Sequence, residues 1–282
     1  MSHKFRFSKE SRSRMKNFAI GEEDAAKKSE EPILDDAEPE EALPEEPIII
    51  ETRTDVGRVR ASNQDALIKG RMLWGVADGM GGHNGGETAS AGARDGLLKA
   101  LEGKEPSLDA LREGVTEVNA QLFKQQREDA ALSGMGTTLT VMWLSDHFAY
   151  IGHVGDSRVY LIRDGKFRQV TDDHSLVAEL FRMGQLTREQ AANHPMRNVI
   201  TRAVGTEEHI ETDLIVEERR KGDLWLICSD GLYGMVSDEQ IEATLAAHTP
   251  KRAADLLMKM ALNAGGRDNI SLVILLDREG GQ

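Results

Sequence analysis

The sequence predicts an α+β fold of mostly antiparallel β-sheets with helices packed outside them. Three observations carry that reading. Runs with strand-like patterning outnumber runs with helical spacing. The helical runs come in pairs between groups of strand runs, not in strict βαβ alternation. One tight hairpin signal, Arg163-Asp164-Gly165-Lys166, joins two of the strand runs.

Taken in order, Ile48–Thr54 reads as a strand, and Met72–Ala77, a short continuous apolar run, reads as a buried one. Glu87–Leu101 and Leu108–Asp129 have helical spacing; in the second, Leu111, Val115, Val118 and Leu122 mark one apolar face. Strand runs follow at Thr137–Leu144, Phe148–Val154, Arg158–Arg163 and Phe167–Thr171. Ser175–Met183 and Arg188–Ala192 read as helices, with Gly184 capping the first. Glu211–Val216 and Asp223–Cys228 are strands, and Asp238–Ala247 and Lys251–Ala264 are helices, opened by an Asp or Ser cap and by Pro250 respectively. Ile270–Leu276 is the last strand, and there is no internal repeat.

Charge divides the chain. The whole carries 282 residues and a net charge of −13. Residues 1–20 hold six Lys/Arg and one acid, whereas residues 22–46 hold twelve acids, two lysines and no aromatic residue. Such a stretch cannot bury enough apolar surface to offset its chain entropy, so 1–46 is expected to be a disordered, charged tail, and 47–282 the folded domain. The tail is either a docking or autoregulatory arm or simply a solvating segment. A single cysteine, Cys228, excludes a disulfide framework and a thiolate metal site within one chain. The acidic balance argues against nucleic acid as a partner. No apolar run approaches the roughly 18 residues of a membrane span, and no apolar segment follows the basic N-terminus as a secretory signal would require. A cytoplasmic, soluble, monomeric protein is expected.

The chemistry lies in four aspartates at strand ends. Asp78 closes the run MLWGVA and precedes Gly79; Asp230 follows LWLIC and Ser229 and precedes Gly231; Asp156 follows FAYIGHV and Gly155; Asp268 comes just before Ile270. One Asp-Gly pair is ordinarily a turn. Two of them, each ending a Trp-containing apolar strand, point further: if those strands lie side by side, their carboxylates converge. Two carboxylates 4 Å apart repel by roughly 4 kcal/mol at an effective dielectric near 20, so a cluster must take up protons or bind cations. Asp and carbonyl oxygens without Cys or paired His suit hard ions: Mg2+, Mn2+ or Ca2+. Neither an EF-hand loop nor a P-loop is present. A cysteine-phosphatase reading fails because the position six beyond Cys228 is Gly234, not Arg; Cys228 reads as a core residue.

These residues, in this order, resemble the metal-dependent Ser/Thr protein phosphatase family, type 2C, in its bacterial form, over about 51–278. The resemblance is carried by Thr54-Asp55-Val56-Gly57 with Arg60 and Asn63-Gln64-Asp65, then ADGMGGH from Ala77, GTT from Gly136, GHVGDSR from Gly152, DHSL from Asp173, NVITRAVG from Asn198, CSDGL from Cys228 and GGRDNI from Gly265. It implies a four-layer αββα sandwich, two antiparallel sheets flanked by helical pairs, with a two-metal centre for Mn2+ or Mg2+ between the sheets. By motif position Asp78 bridges both ions and the Gly79 carbonyl binds one; Asp230 and Asp268 hold the other; Asp65 lies beside the centre; Asp156 helps Asp230 bind a third, weaker ion; Arg60 grips the substrate phosphate. Asp172–Thr187 matches the mobile flap beside the cleft, with Gly184 either a hinge or a helix cap. Gln64 stands where many members have Glu, which leaves one ion held largely by Asp78, Gly79 and waters. Met80 stands where many eukaryotic members have His, so His83 is the nearest histidine, a proton donor, a cleft-lining residue or a structural one.

The activity implied is hydrolysis of phospho-Ser and phospho-Thr on proteins by a metal-bridging hydroxide, without a phosphoenzyme, opposing a bacterial Ser/Thr kinase. A catalytically weak member serving as a regulatory or phospho-binding module is the alternative, and it is expected to have lost one of Asp78, Asp230 and Asp268. A third reading, a metal-dependent nuclease, fits poorly with 27 basic and 35 acidic residues over 47–282.

Overall fold

The computed structural model describes residues 46–81 and 85–281. The tail expected over 1–46 lies, apart from Glu46, outside the described residues, as does His83.

Among the described residues, eleven strands and seven α-helices follow one another as β1 Ile48–Asp55, β2 Asp65–Gly70, β3 Leu73–Met80, α1 Gly85–Ala100, α2 Leu108–Glu128, β4 Gly136–Thr137, β5 Leu139–Leu144, β6 Phe148–Val154, β7 Arg158–Arg163, β8 Lys166–Gln169, α3 Leu176–Arg182, α4 Arg188–Ala192, β9 Asp213–Glu218, β10 Leu224–Cys228, α5 Asp230–Tyr233, α6 Asp238–Ala247, α7 Pro250–Asn263 and β11 Ile270–Asp277. One sheet has the order β1-β11-β10-β7-β8; the other runs β2-β3-β5-β6-β9, with β4 paired to β3. Every pairing is antiparallel.

Three apolar layers explain why the strands read as they do. Between the sheets, Val76, Met142 and Ile151 of one meet Val159, Trp225, Ile227, Val273 and Leu275 of the other. Outside, α1 and α2 cover Val141 and Trp143 with Leu97, Leu111, Val115, Val118 and Leu122. On the opposite flank α5–α7 cover Leu226, Cys228, Leu272 and Ile274 with Leu232, Ile241, Leu245 and Leu257. A strand covered on both faces is apolar at consecutive positions, which is why LWLIC and ISLVILL run unbroken. The four-layer αββα sandwich is the architecture expected.

Most predicted elements form within a residue or two of their expected bounds. Asp164 and Gly165 take φ of 53° and 71° in the β7–β8 hairpin, the positive pair a two-residue turn requires. Ser237 and Gln240 form a capping box on α6, and Pro250 occupies the first turn of α7. Four corrections stand. β2 was not expected; Lys69 and Gly70 hide a half-buried alternation in which only Ala66 and Ile68 are buried. Thr137–Leu144 is two strands, β4 and β5. The strand expected at Glu211–Val216 lies two residues later, as β9. β3 and β10 do not lie side by side: they belong to opposite sheets, so Asp78 and Asp230 approach across the sandwich.

Candidate functional site

The carboxylates gather at one end of the sandwich because register puts them there. Asp65 on β2 is the antiparallel partner of Asp78 on β3. Asp230 opens α5 directly after β10 and Ser229, and Asp268 precedes β11 by two residues, so both approach from the facing sheet. Asp156 lies in the turn between β6 and β7. A cleft of about 210 Å3 is lined by Arg60, Asp78, Gly79, Asp156, Asp230 and Asp268, with Gln64, Met80, Thr138, Asn198, Ile200 and Asn269 on its walls. Asp65 sits beside it. The structure thus brings Arg60, Asp78, Gly79, Asp156, Asp230 and Asp268 around one cleft.

The backbone beneath them is fixed. Asp78 N–H donates to Thr138 Oγ1 at 2.9 Å, and the Asp78 carbonyl accepts from Thr137 Oγ1 at 3.0 Å and from Thr138 N–H at 2.9 Å. Glycine follows Asp78 and Asp230 for closeness, not for a turn. A Cβ on Gly79 would lie 2.0 Å from the Gly86 carbonyl oxygen, and one on Gly231 would lie 2.0 Å from that of Asn269.

Burial and mutual repulsion make these carboxyls reluctant to ionise. Burial raises Asp230 to about 8, with Asp156, Asp268 and Asp65 adding repulsion. Burial likewise raises Asp78 well above the usual carboxylate range, helped by Asp65, Asp230, Asp156 and Asp268. Asp65 rises to about 6, chiefly through burial, despite hydrogen bonds from Ser271 and Ser229. Asp156 rises to about 6 through burial and the charge of Asp173, against the opposing pull of Arg158.

Two buried oxygens, Asp65 Oδ1 and Asp230 Oδ1, have no hydrogen-bond partner among the described residues. Buried carboxyl oxygens without a partner, on groups reluctant to ionise alone, are what a hard divalent cation satisfies, so the donor set fits Mg2+ or Mn2+. Among the described residues, however, no three His, Cys, Asp or Glu side chains are arranged to hold an ion by themselves. The reason is visible in their bonds. Asp268 Oδ2 accepts from Arg60 Nη2 at 2.7 Å, its Oδ1 accepts from Asn269 N–H at 2.9 Å, and Asp65 Oδ2 accepts from Ser229 Oγ at 2.8 Å. The carboxylates ring the cleft with several of their oxygens already engaged by protein donors. An ion there would complete its shell with a backbone carbonyl and water, as Mg2+ commonly does. Arg60, expected to grip phosphate, stands half-exposed at the mouth, paired to an expected ligand.

Cys228 is fully buried, and burial pushes its thiol far up, so it is inert as a nucleophile. Gly184 closes α3 at φ 70°, with Gly184 N–H donating to Phe181 O and Gln185 N–H to Leu180 O, which makes it a helix cap.

Sequence reasoning missed the residues that hold the site's backbone together. Asn269 Oδ1 accepts from Gln64 N–H at 2.8 Å, while Nδ2 donates to the carbonyls of Val56 and Ser62, both at 2.9 Å. It ties the 55–65 segment to the start of β11. Ser229 Oγ joins Asp65 to Ser271 N–H. The signal was a polar residue beside each aspartate, in RDNI and CSDG. Asn269→Ala removes three side-chain-to-backbone bonds and is expected to destabilise the fold by about 1–3 kcal/mol. Urea denaturation measures this, and an unchanged midpoint contradicts it.

The fold is a two-sheet sandwich with helices outside, and at its strand ends lies a cleft whose carboxylate donor set suits hard cations. Residues 57–265 match the model of the family described as protein phosphatase 2C, and the chain belongs to that family. The serine/threonine protein phosphatase PstP of Mycobacterium tuberculosis is 40% identical over 235 residues, covering 82% of this chain and 45% of PstP, so the chain spans less than half of that relative's length. The serine/threonine phosphatase stp of Listeria monocytogenes is 39% identical over 241 residues, covering 81% of this chain and 95% of stp. The crystal structure of M. tuberculosis PstP/Ppp superposes with a TM-score of 0.78 at 39% identity, over 82% of this chain and 99% of that one. The PstP catalytic domain, solved in complex with 2 manganese ions, gives 0.76 at 37% identity, over 82% and 99%. Among the described residues, no helix is long and apolar enough to cross a membrane.

Proposed function

We propose that this chain is a metal-dependent phosphoprotein phosphatase that hydrolyses phospho-Ser and phospho-Thr on proteins, opposing a bacterial Ser/Thr kinase. The observation that carries the reading is the ring of buried, mutually repelling carboxylates around the cleft, two of them with an unpaired oxygen. Asp78 with the Gly79 carbonyl would hold one divalent cation, Asp230 and Asp268 with Asp78 a second, and Asp156 with Asp230 a weaker third; Asp65 supports the set from beside it. When bound, the ions supply an acidified water for in-line attack on phosphorus and neutralise the phosphoryl oxygens.

The chain's own residues do the rest. Arg60 Nη2 contacts Asp268, and its remaining guanidinium donors are positioned at the mouth for phosphate oxygens. The Thr137, Thr138, Ser229 and Asn269 bonds keep the carboxylates from collapsing, so that little reorganisation accompanies reaction. No side chain need act as nucleophile, in keeping with the inert Cys228. His83 remains the candidate to protonate the leaving Ser or Thr oxygen. Residues 1–46 belong to a tail separate from the catalytic domain 47–282, and the enzyme works as a cytoplasmic monomer.

Hydrolysis of p-nitrophenyl phosphate and of a phosphothreonine peptide, with Mn2+, with Mg2+ and with chelator, tests this. Turnover with Mn2+ and almost none with chelator is expected, and removal of residues 1–46 should leave p-nitrophenyl phosphate turnover unchanged. Equal rates with and without metal contradict the proposal.

A further inference from the structure

Beneath the turn that carries Asp156 lies a polar cluster with no part in the chemistry above. Gly155 and His174 are joined twice: Gly155 N–H donates to His174 Nδ1 at 3.0 Å, and His174 N–H donates to the Gly155 carbonyl at 2.8 Å. A ring nitrogen that accepts carries no proton, so the neutral ring of His174 holds its proton on Nε2. Nε2 lies 3.1 Å from Asp213 Oδ2 and donates to it. The other carboxylate oxygen, Asp213 Oδ1, accepts from Arg202 Nη1 at 2.7 Å. Arg202 Nη1 also lies 3.0 Å from His174 Nε2. Both are donors in this tautomer, and Asp213 satisfies both. The His153 ring lies against His174, tilted by 37° with centroids 4.7 Å apart, and it is itself held by Thr140 Oγ1 and the Asp172 carbonyl.

The chain of dependence runs from carboxylate to ring to backbone. Asp213 fixes the tautomer, the tautomer supplies the acceptor, and the acceptor holds the Gly155 peptide. That peptide needs holding: Gly155 has φ of +106°, and a Cβ there would lie 2.6 Å from the Thr138 side chain. Thr138 is the residue whose hydroxyl accepts from Asp78 N–H. On its far side, the His174 carbonyl accepts from Thr201 N–H at 2.8 Å, next to Ile200 on the cleft wall. A single residue therefore ties the Asp156 turn to the cleft wall at Ile200.

We propose that His174, oriented by Asp213, is a positioning residue that sets the Gly155–Asp156 turn so that the Asp156 carboxylate serves the weakest cation site. This rests on the reading of Asp156 given under the proposed function.

The test compares wild type with His174→Asn, His174→Gln and Asp213→Asn, by calorimetric titration of Mn2+ and by the Mn2+ dependence of p-nitrophenyl phosphate hydrolysis. Asn places an acceptor near the position of Nδ1, whereas Gln places its polar end near that of Nε2. His174→Gln is expected to weaken the weakest Mn2+ site by about 10–100-fold, with kcat at saturating Mn2+ near wild type. His174→Asn should recover most of that affinity, and Asp213→Asn should shift it in the same direction as Gln by a smaller factor. The proposal is overturned if the Asn and Gln variants behave alike, whether both are normal or both impaired. Thermal unfolding is followed in parallel. Should both His174 variants unfold, wild-type Mn2+ affinity in Asp213→Asn overturns the proposal alone. Failure of the wild type to bind Mn2+ would remove the parent reading and this one with it.

Discussion

Asp230→Asn is expected to fold, to be at least as stable as wild type in chelator, and to lose at least about 100-fold in kcat with Mn2+ present. The two effects have opposite signs because they have one cause. Asp230 is buried beside Asp156, Asp268 and Asp65, and its carboxyl is raised to about 8, so its ionised form destabilises the folded chain at neutral pH. Asn keeps the shape and removes that charge. The same charge is what would hold a divalent cation, and without it the second ion loses a ligand. Structural aspartates give a different pattern. Asp277, fully buried and paired with Arg219 at 2.8 Å, would cost stability if replaced, because a charged Arg219 would be left unpaired. Thermal unfolding in chelator and steady-state kinetics with Mn2+ measure the two halves. Activity within a few-fold of wild type, or a marked loss of stability, would contradict the assignment of Asp230.

The second large effect is on pH. Asp65, Asp78, Asp156 and Asp230 all have folded-state values raised above the ordinary carboxylate range, so the folded chain binds their protons more tightly than the unfolded chain does. Their contribution to stability is fully present below about pH 4, the unfolded value, and is lost as pH rises through the folded values. For Asp65 and Asp156 that loss begins near pH 4 and is complete just above 6, and for Asp230 it continues to about 8. In chelator, therefore, the melting temperature should fall between about pH 5 and 8, the reverse of ordinary acid denaturation. Asp213 works in the opposite sense: burial raises it, but His174 and Arg202 outweigh burial and lower it, so its contribution is lost only as pH falls below the usual range. Mn2+ should raise the melting temperature most at pH 8, where the carboxylates it binds are ionised and least content without it. A melting temperature that rises steadily from pH 5 to 8 in chelator would show that the cluster does not dominate.

How far the sequence revealed this depended on whether the signal was local. The β7–β8 hairpin was legible because Asp164-Gly165 specifies its own turn. The α2 stripe was legible because Leu111, Val115, Val118 and Leu122 share a face through helical geometry alone. β2 was not, because DALIKG has too few apolar residues to announce itself; its strand character comes from pairing with β3. The aspartates stood out singly, through their positions after apolar runs, but their convergence is a matter of register and of sheet facing sheet. Asp78 meets Asp65 across a ladder and Asp230 across the sandwich, and neither relation is written in local sequence. Asn269 was hidden for a similar reason: its three backbone partners lie more than 200 positions away, as the bonds to Gln64, Val56 and Ser62 show. Family resemblance supplied the long-range part of the reading, and the ladder registers now give it a physical basis.

On the proposed function, acidic oxygens from both sheets form one cradle that divalent cations fill. Calorimetric titration of Mn2+ into wild type and into Asp78→Asn, at pH 7.5 after chelator treatment, tests it most directly. About two tightly held ions and one weaker one per wild-type chain are expected, with binding largely lost in the variant. Absence of binding to wild type, or identical isotherms for the two proteins, would contradict it.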